Sequence, residues 1–273
     1  MKTGLYVYDH STRSFLGNVR ALAGFGFTAV GDTGKDFARR SDDWRRELGE
    51  IVNELDLAFT IHDELPDETT PPEEVAAWEE RLALFRKWHD LFGNLAVLSW
   101  HASPAEREAG APHLRRSLEA FVGTDVRIAC ENWPMIPRDY ERLAGMDGEF
   151  PALGILVDIG HLHFWTGKRL AAGTITDRRA ELARIIAEVP IEIVEVHVHS
   201  NNGERDEHLE IRQGDFHLET AARALALRGF DGISTFEFGV GGPGPVPYEK
   251  GRACMAIWEG ALRKARAEVG KRG

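Results

Sequence analysis

The feature that most constrains the fold of this chain is a regular alternation of short apolar runs with longer stretches of helical periodicity. Eight runs have the length and composition of β-strands: GLYVYD (4–9), FTAVGD (27–32), LAFTIH (57–62), LAVLSWH (95–101), VRIACE (126–131), GILVDIGH (154–161), IEIVEVHVH (191–199) and GISTFEF (232–238). Between them lie amphipathic stretches, and residues 71–92 and 176–189 show charged and apolar residues at helical spacing.

This alternation predicts a parallel sheet, because parallel neighbours need the crossover connections that helices supply. Eight strand–helix units in 273 residues predict an α/β fold with one closed (β/α)8 barrel spanning residues 1–273. An open doubly wound sheet is the alternative, but no Gly-rich phosphate-binding turn follows the first run. We therefore expect a single barrel domain with its functional site at the C-terminal ends of the strands.

Six consecutive runs end in an imidazole or a carboxylate. These residues lie at or just beyond the C-terminal ends of their runs: His62, His101, Glu131, Asp158 with His161, His197, and Glu237. In a barrel those ends meet at one mouth, where enzymes of this architecture have their active sites. A single strand-end histidine is most simply a hydrogen-bonded structural residue. Six such ends at one mouth indicate a site.

Imidazole and carboxylate without thiolate are the donors that suit a divalent ion such as zinc, manganese, cobalt or iron. The two cysteines, Cys130 and Cys254, have no CxxC spacing, so they indicate neither a thiolate metal site nor a disulfide framework. We predict a metal site whose core donors are Glu131, Asp158, His197 and Glu237.

The seventh run places two histidines on one face of a strand, because side chains alternate between faces. His197 and His199 lie about 6.6 Å apart along a strand and are not interchangeable at one ion. We predict that His197 is the ligand and that His199 contacts the substrate, and the reverse assignment stays open. Deeper on the same face, Glu195 is predicted to pair with Arg127 inside the barrel.

Several of these motifs resemble those of the xylose-isomerase-like TIM barrel superfamily, which includes sugar phosphate isomerases/epimerases and endonuclease IV. The motifs are CEN (130–132), VDIGH (157–161), HVHSNNGERDEHL (197–209) with Gly214, and the final Glu237. The resemblance implies a metal quartet formed by Glu131, Asp158, His197 and Glu237, and one to three divalent ions per chain. It implies additional ligands at the positions of the endonuclease IV cluster: His62, His101, His161, Asp206 and His208. The sequence departs from the pattern at GDF (214–216) and at Ser200, which leaves substrate identity open.

The resemblance implies an isomerase or epimerase that acts on a sugar or sugar phosphate through a metal-stabilised enediolate. In this reading Glu131 and Glu237 remove and return the proton. The alternative is an endonuclease IV-like phosphodiester hydrolase with a di- or trinuclear metal cluster, because nine donors exceed the capacity of one ion. A barrel that binds metal or sugar without catalysis is a third possibility.

Net charge, charged segments and aromatic residues indicate which kind of molecule the protein binds. Lys plus Arg is 33 and Asp plus Glu is 44, a net charge of −11, which offers no general attraction to nucleic acid or anionic membranes. An acidic segment (63–74) follows His62, whereas a mixed basic segment (34–46) follows the second run. We therefore expect a small sugar or sugar phosphate rather than nucleic acid. Aromatic residues predicted to contact it are Trp100, Trp133 and Trp165.

Localisation is predicted from two further features. The N-terminus MKTGLYVYDH lacks the apolar core of a signal peptide, and no stretch is long and apolar enough to span a bilayer. Together with the sparse cysteines, these features predict a cytoplasmic protein with no membrane partner.

Overall fold

The computed structural model describes residues 1–6, 12–108, 111–132, 137–211, 217–237 and 248–271. Eight strands form a closed barrel in the order of the chain, and the last strand pairs with the first. The strands are β1 (Lys2–Tyr6), β2 (Ala29–Thr33), β3 (Ala58–Glu64), β4 (Leu95–His101), β5 (Arg127–Glu131), β6 (Leu153–Asp158), β7 (Ile193–Val198) and β8 (Ile233–Phe236). All neighbouring pairs are parallel. The predicted α/β class and (β/α)8 TIM barrel are confirmed.

Helices surround the barrel in the described part of the chain. They are α1 (Thr12–Gly24), α2 (Gly34–Arg39), α3 (Asp42–Glu54), α4 (Pro72–Phe92), α5 (Pro104–Glu108), α6 (Pro112–Ala120), α7 (Pro137–Asp147), α8 (Ile159–Ala171), α9 (Arg178–Glu188), α10 (Leu218–Leu227) and α11 (Tyr248–Gly270). The predicted helical stretches correspond to α4 and α9. Among these helices, none has the length and apolar character that crossing a membrane requires.

The ends of α4 show how local sequence sets an element. The helix begins after Pro71 and has Pro72 in its first turn, where the absent N–H has no intrahelical partner to lose. It ends at Gly93, whose φ of 67° lies in the left-handed region that glycine adopts without strain. The two prolines therefore set the start of α4, and the glycine sets its end.

Only β4 has its predicted bounds, and the first and sixth strands illustrate how the ends of the others differ. The first was expected over 4–9 but spans Lys2–Tyr6, and residues 7–9 lie outside the described residues. The sixth was expected to reach His161 but ends at Asp158. The carboxylate of Asp158 accepts a hydrogen bond from the backbone N of His161 and so begins α8.

The core has two layers. A large apolar layer lies between strands and helices, and a smaller one of mostly short side chains fills the barrel interior. Along four strands the inner face changes from an apolar residue to a polar one within two or four positions: Val97 to His101, Ala129 to Glu131, Leu156 to Asp158, and Ile233 to Glu237. The apolar layer inside the barrel therefore gives way to polar residues at the C-terminal ends of the strands.

Candidate metal centre

Polar side chains at the barrel mouth form overlapping groups of potential metal donors. Within each group, one donor atom per residue lies within 4.8 Å of the others. The groups are His62–His101–Glu131, Glu131–Asp158–His161, Asp158–His199–Glu237 and His161–His199–Asp206–His208. Four of the nine residues belong to two groups each, so the groups form one continuous cluster.

Three imidazoles surround the carboxylate of Glu131 at the end of β5. Its Oε2 lies 2.7 Å from His101 Nε2 and 3.3 Å from His62 Nε2. Its Oε1 lies 2.7 Å from His161 Nδ1. Ser99 Oγ lies 3.0 Å from His62 Nδ1, which fixes the orientation of that ring. Strands β3, β4 and β5 and helix α8 thus converge on one carboxylate.

Asp158 joins the end of β6 to the first turn of α8. Its Oδ1 accepts a hydrogen bond from the His161 backbone N at 2.7 Å. The same carboxylate lies 3.0 and 3.2 Å, through its two oxygens, from His199 Nε2. The Asp158 backbone N donates to Asn132 Oδ1 at 3.1 Å. Backbone and side chain are both fixed, with the carboxylate turned toward the mouth.

The loop after β7 folds back and brings two more donors to the cluster. An antiparallel bridge between Ser200 and Leu209 closes the base of this loop. Asp206 Oδ2 lies 2.9 Å from His161 Nε2 and 3.3 Å from His208 Nε2. The loop therefore reaches from β7 back to the first turn of α8.

His199 is held between a glycine and a second imidazole. Its ring stacks on His208 with centroids 3.9 Å apart and planes 7° apart, and His208 Nδ1 lies 2.8 Å from the backbone O of Glu237. On α8, a Cβ at Gly160 would lie 2.1 Å from His199 Cε1. Only a glycine at this helix position leaves room for the ring.

His197 lies deeper than His199 and faces other carboxylates. Its Nδ1 lies 3.3 Å from Glu237 Oε2 and 3.8 Å from Asp158 Oδ2, and its Nε2 lies 3.7 Å from Glu195 Oε1. It belongs to none of the donor groups found among the described residues. The geometry therefore favours His199 as the direct donor, opposite to the preference from sequence. The other eight predicted donors lie together.

The carboxylates of the cluster have lowered pKa values. Burial alone would raise the pKa of Glu131, but the imidazoles of His101 and His161 outweigh it and hold this pKa well below its usual range. Burial likewise opposes ionisation of Glu237, and the charge of His197 overcomes it and lowers the pKa. Both carboxylates are therefore ionised at neutral pH.

Two histidines of the cluster, His161 and His208, show the opposite pKa shift. Burial would lower the pKa of His161, but the nearby carboxylates, with Asp158 and Asp206 foremost, raise it to about 12. For His208 burial acts in the same direction, and Asp206 and Glu237 raise the pKa to about 9. Protons on the imidazoles thus neutralise the carboxylates, and divalent cations can replace those protons.

The donor set fits a divalent cation. Five imidazoles and four carboxylates converge without a thiolate, which suits zinc, manganese, cobalt or iron. His199 Nδ1 is buried with no hydrogen-bond partner in the described part of the chain. Such an atom is costly to bury unless something binds it, and an imidazole nitrogen is a common metal ligand.

Of the three predicted aromatic contacts, the two in the described part of the chain, Trp100 and Trp165, pack against the hydrophobic core. Trp100 is fully buried in the outer core, with its ring centroid 5.9 Å from that of Trp78. Trp165 is half-buried on α8, and the Arg169 guanidinium lies 4.9 Å from its ring centroid. Trp133 lies outside the described residues. The structure thus supplies no sugar-stacking role for Trp100.

The predicted pair inside the barrel is also wrong. Arg127 Nη1 forms an ion pair with Glu192 at 2.7 Å, because Arg127 begins β5 at the opposite end of the barrel from the mouth. Glu195 instead accepts a hydrogen bond from Thr235 Oγ1 at 2.7 Å and faces His197. Sequence analysis missed Ser99 and Thr235 as polar inner residues, although each lies two residues before a predicted ligand.

The acidic and basic segments noted in the sequence meet beside the mouth. Lys35 Nζ lies 2.5 Å from Glu64 Oε2, and Arg81 Nε lies 2.8 Å from Asp63 Oδ2. Cations from α2 and α4 therefore neutralise part of the acidic segment after His62.

The fold and the site define the class of this protein: a closed (β/α)8 barrel with clustered imidazoles and carboxylates at its C-terminal mouth. Within this class, the chain belongs to the family described as xylose isomerase-like TIM barrel, whose sequence profile matches residues 19–258. An uncharacterized protein of Methanocaldococcus jannaschii is 35% identical over 85 residues, which are 31% of this chain and 25% of that protein. This chain therefore matches only a quarter of that relative's length.

Solved structures of similar fold include sugar epimerases. A D-tagatose 3-epimerase-like protein has a TM-score of 0.67 at 19% identity, with 98% of this chain and 100% of that chain covered. A D-psicose 3-epimerase in the presence of D-fructose has a TM-score of 0.63 at 12% identity, with 96% and 99% covered. The 3-keto-D-glucoside 4-epimerase from E. coli has a TM-score of 0.64 at 14% identity, with 95% and 99% covered. At these identities the similarity shows the fold.

Proposed function

We propose that this protein is a divalent-metal-dependent isomerase or epimerase that transfers a proton on a sugar or a sugar phosphate. One observation carries the proposal. Glu131 and Glu237 are both buried and reach the mouth from β5 and from the end of β8, three strands apart in a barrel of eight. Asp158 at the end of β6 and His199 directly after β7 lie between them. Carboxylates on two sides of a bound sugar suit removal and return of one proton.

The nine donor residues of the mouth would hold zinc, manganese, cobalt or iron. When bound there, a divalent ion would supply Lewis-acid polarisation of substrate oxygens and stabilisation of negative charge. Glu131 and Glu237 accept and return the proton, while Asp158 and His199 stay fixed. His62 and His101 hold the Glu131 carboxylate in one orientation through contacts of 3.3 and 2.7 Å.

A small substrate is favoured over nucleic acid. Glu64 follows the predicted ligand His62 by two positions, and Asp67, Glu68, Glu73 and Glu74 extend the acidic segment. Binding of a phosphate backbone depends on Lys and Arg contacts, whereas Lys35 already pairs with Glu64. Similarity in fold to sugar epimerases supports the same choice.

Deuterium exchange tests the proposal. We would incubate the metal-loaded protein in D2O with a panel of ketoses, ketose phosphates and keto-glycosides, and follow carbon-bound deuterium by NMR. The expected result is deuterium at the carbon next to a carbonyl, with loss of exchange in Glu131→Gln and Glu237→Gln. Glu192→Gln is the matched control, because Glu192 pairs with Arg127 away from the mouth. No exchange with any sugar would contradict the proposal.

Phosphodiester hydrolysis is the second candidate, and the overlapping donor groups favour it. Nine donors exceed what one ion of ordinary coordination number takes. The four carboxylates would leave a formal charge of about +2 with three divalent ions, but about −2 with one. A positive cluster attracts phosphate, and adjacent ions suit in-line displacement at phosphorus.

Elemental analysis separates the two candidates before any substrate is known. A metal content near one ion per chain would exclude the polynuclear hydrolase, whereas two or three ions per chain with cleavage of bis(p-nitrophenyl) phosphate would favour it. Sugar binding by the metal-loaded protein without turnover or exchange would instead support the non-catalytic barrel.

A further inference from the structure

Strand β7 carries three ionisable side chains along the inner face of the barrel. Glu195, His197 and His199 follow at intervals of two residues, so successive members lie about 6.6 Å apart along the strand. All three are fully buried. Only the last belongs to a donor group among the described residues, which leaves a deeper carboxylate and imidazole that the proposed chemistry does not use.

Glu195 is a carboxylate in the middle of the barrel. Its Oε1 accepts a hydrogen bond from Thr235 Oγ1 at 2.7 Å, whereas its Oε2 has no hydrogen-bond partner in the described part of the chain. The basic group that approaches it is His197, whose Nε2 lies 3.7 Å from Oε1. A buried carboxylate requires such a partner, because desolvation of an unpaired charge is costly.

The other ring nitrogen of His197 faces the mouth. Its Nδ1 lies 3.3 Å from Glu237 Oε2 and 3.8 Å from an oxygen of Asp158. Tyr6 and His62 pack edge-on against the ring, with centroids at 5.4 and 5.1 Å. Packed in this way, the imidazole keeps one nitrogen toward the interior and the other toward Glu237.

We infer that His197, oriented by Glu195, is a positioning residue that fixes the carboxylate of Glu237 for metal binding and proton transfer, while His199 is the direct metal donor. This inference rests on the proposed function. His197 contacts one oxygen of Glu237 from below and so determines which way the carboxylate faces. In metal sites, residues that contact a metal ligand fix the orientation of that ligand. Here the buried His197 and Glu195 are the residues that support Glu237.

Cobalt alone is the probe, because its visible absorption spectrum reports on the donors and no substrate is needed. We would titrate Co²⁺ into wild-type protein, His197→Gln, Glu195→Gln and His199→Gln. For His197→Gln we expect affinity about 10- to 100-fold weaker, as is typical when a residue supporting a ligand is replaced. The number of ions and the spectrum should match wild type. His199→Gln should lose an ion or change the spectrum.

A double-mutant cycle separates positioning from simple stabilisation of the fold. If Glu195 acts through His197, the double variant Glu195→Gln/His197→Gln should bind Co²⁺ as weakly as His197→Gln alone. Glu192→Gln, the matched acid-to-amide change at the far end of the barrel, should bind Co²⁺ like wild type. If His197→Gln does not fold, Glu195→Gln is the variant to test. For Glu195→Gln we expect weakened Co²⁺ affinity and an unchanged spectrum.

Three results would overturn the inference. A changed ion count or spectrum in His197→Gln would make His197 a ligand. Wild-type Co²⁺ affinity in both His197→Gln and Glu195→Gln, with only the melting temperature lowered, would make the pair structural. Independent, additive losses in the double variant would break the link between the two residues. Absence of deuterium exchange in Co²⁺-loaded wild-type protein would overturn the proposed function alone.

Discussion

Replacing Gly160 by alanine is the sharpest test of the assignment of His199. An added Cβ would lie 2.1 to 2.4 Å from three atoms of the His199 imidazole, whereas ordinary contact begins at 3.4 Å. The ring would have to move by about 1.3 Å. It cannot retreat freely, because His208 stacks on it at 3.9 Å.

The expected effect can be estimated from this displacement. Metal–ligand distances tolerate about 0.2 Å, so a shift of this size removes His199 as a donor. We expect metal affinity to fall by more than the roughly 10- to 100-fold typical for residues that only support a ligand. Overpacking costs about 1–3 kcal/mol of stability, against about 1 kcal/mol gained from the helix propensity of alanine.

Calorimetric titration with Zn²⁺ or Co²⁺, together with urea denaturation, would measure both effects. Gly145→Ala is the control, since Gly145 also lies in a helix and has no heavy atom within 4 Å of the added Cβ. That variant should bind metal like wild type and be equally or slightly more stable. Unchanged metal affinity in Gly160→Ala would refute the assignment of His199 as a ligand.

Three further predictions follow from the same structure. Addition of Zn²⁺ or Mn²⁺ to the metal-free protein at about 100 times Kd should stabilise it by about 2.7 kcal/mol and raise Tm by about 5–10 °C. Scanning fluorimetry with and without EDTA would measure this change. An unchanged Tm would contradict a metal centre. Trp100→Ala should lower the free energy of unfolding, measured by urea denaturation, by about 3–5 kcal/mol, because Trp100 is fully buried in the core. The number of bound ions should not change. A small loss of stability with altered metal content would place Trp100 at the mouth instead. Burial raises the pKa of Cys130 to about 12 and of Cys254 to about 11, so almost no thiolate is present at pH 8. Iodoacetamide should therefore modify neither cysteine until the protein is unfolded, as followed by mass spectrometry. Rapid labelling of the folded protein would contradict this prediction.

The architecture was predictable because its signals are local. Apolar runs of strand length, helical periodicity and prolines such as Pro71 lie within short windows of the chain, and they predicted β4 at its observed bounds and α4 within one residue. The position of polar residues at strand ends then placed the donors, because all parallel strands of a barrel finish at one mouth.

The choice between His197 and His199 depended on information that a single strand does not contain. Period two places both on the inner face, but depth depends on register with the neighbouring strand. Asp158 is opposite His197 in the β6–β7 register. Its carboxylate nevertheless turns toward the start of α8 and contacts His199. Because Asp158 caps α8, its carboxylate lies closer to His199 than to His197.

The misplacement of Trp100 has a different cause. Along β4 the residues Ser99 and His101 face the interior, so strict alternation puts Trp100 on the helix-facing side. The alternation along the strand therefore indicates the outward position of Trp100, although this residue lies close to the strand end. The Arg127–Glu195 pair failed because the two residues lie at different depths, and Arg127 contacts Glu192 instead.

Asp158 links the chemistry of the mouth to the integrity of the barrel. One carboxylate both caps α8 and faces the donor cluster, so a related chain without this cluster would still need a short polar residue there to start the helix. Asn, Ser and Thr start helices nearly as well as Asp but bring no charge. In a related barrel, one of these three residues at this position beside altered donors would indicate that the helix start is kept where the donor cluster is lost.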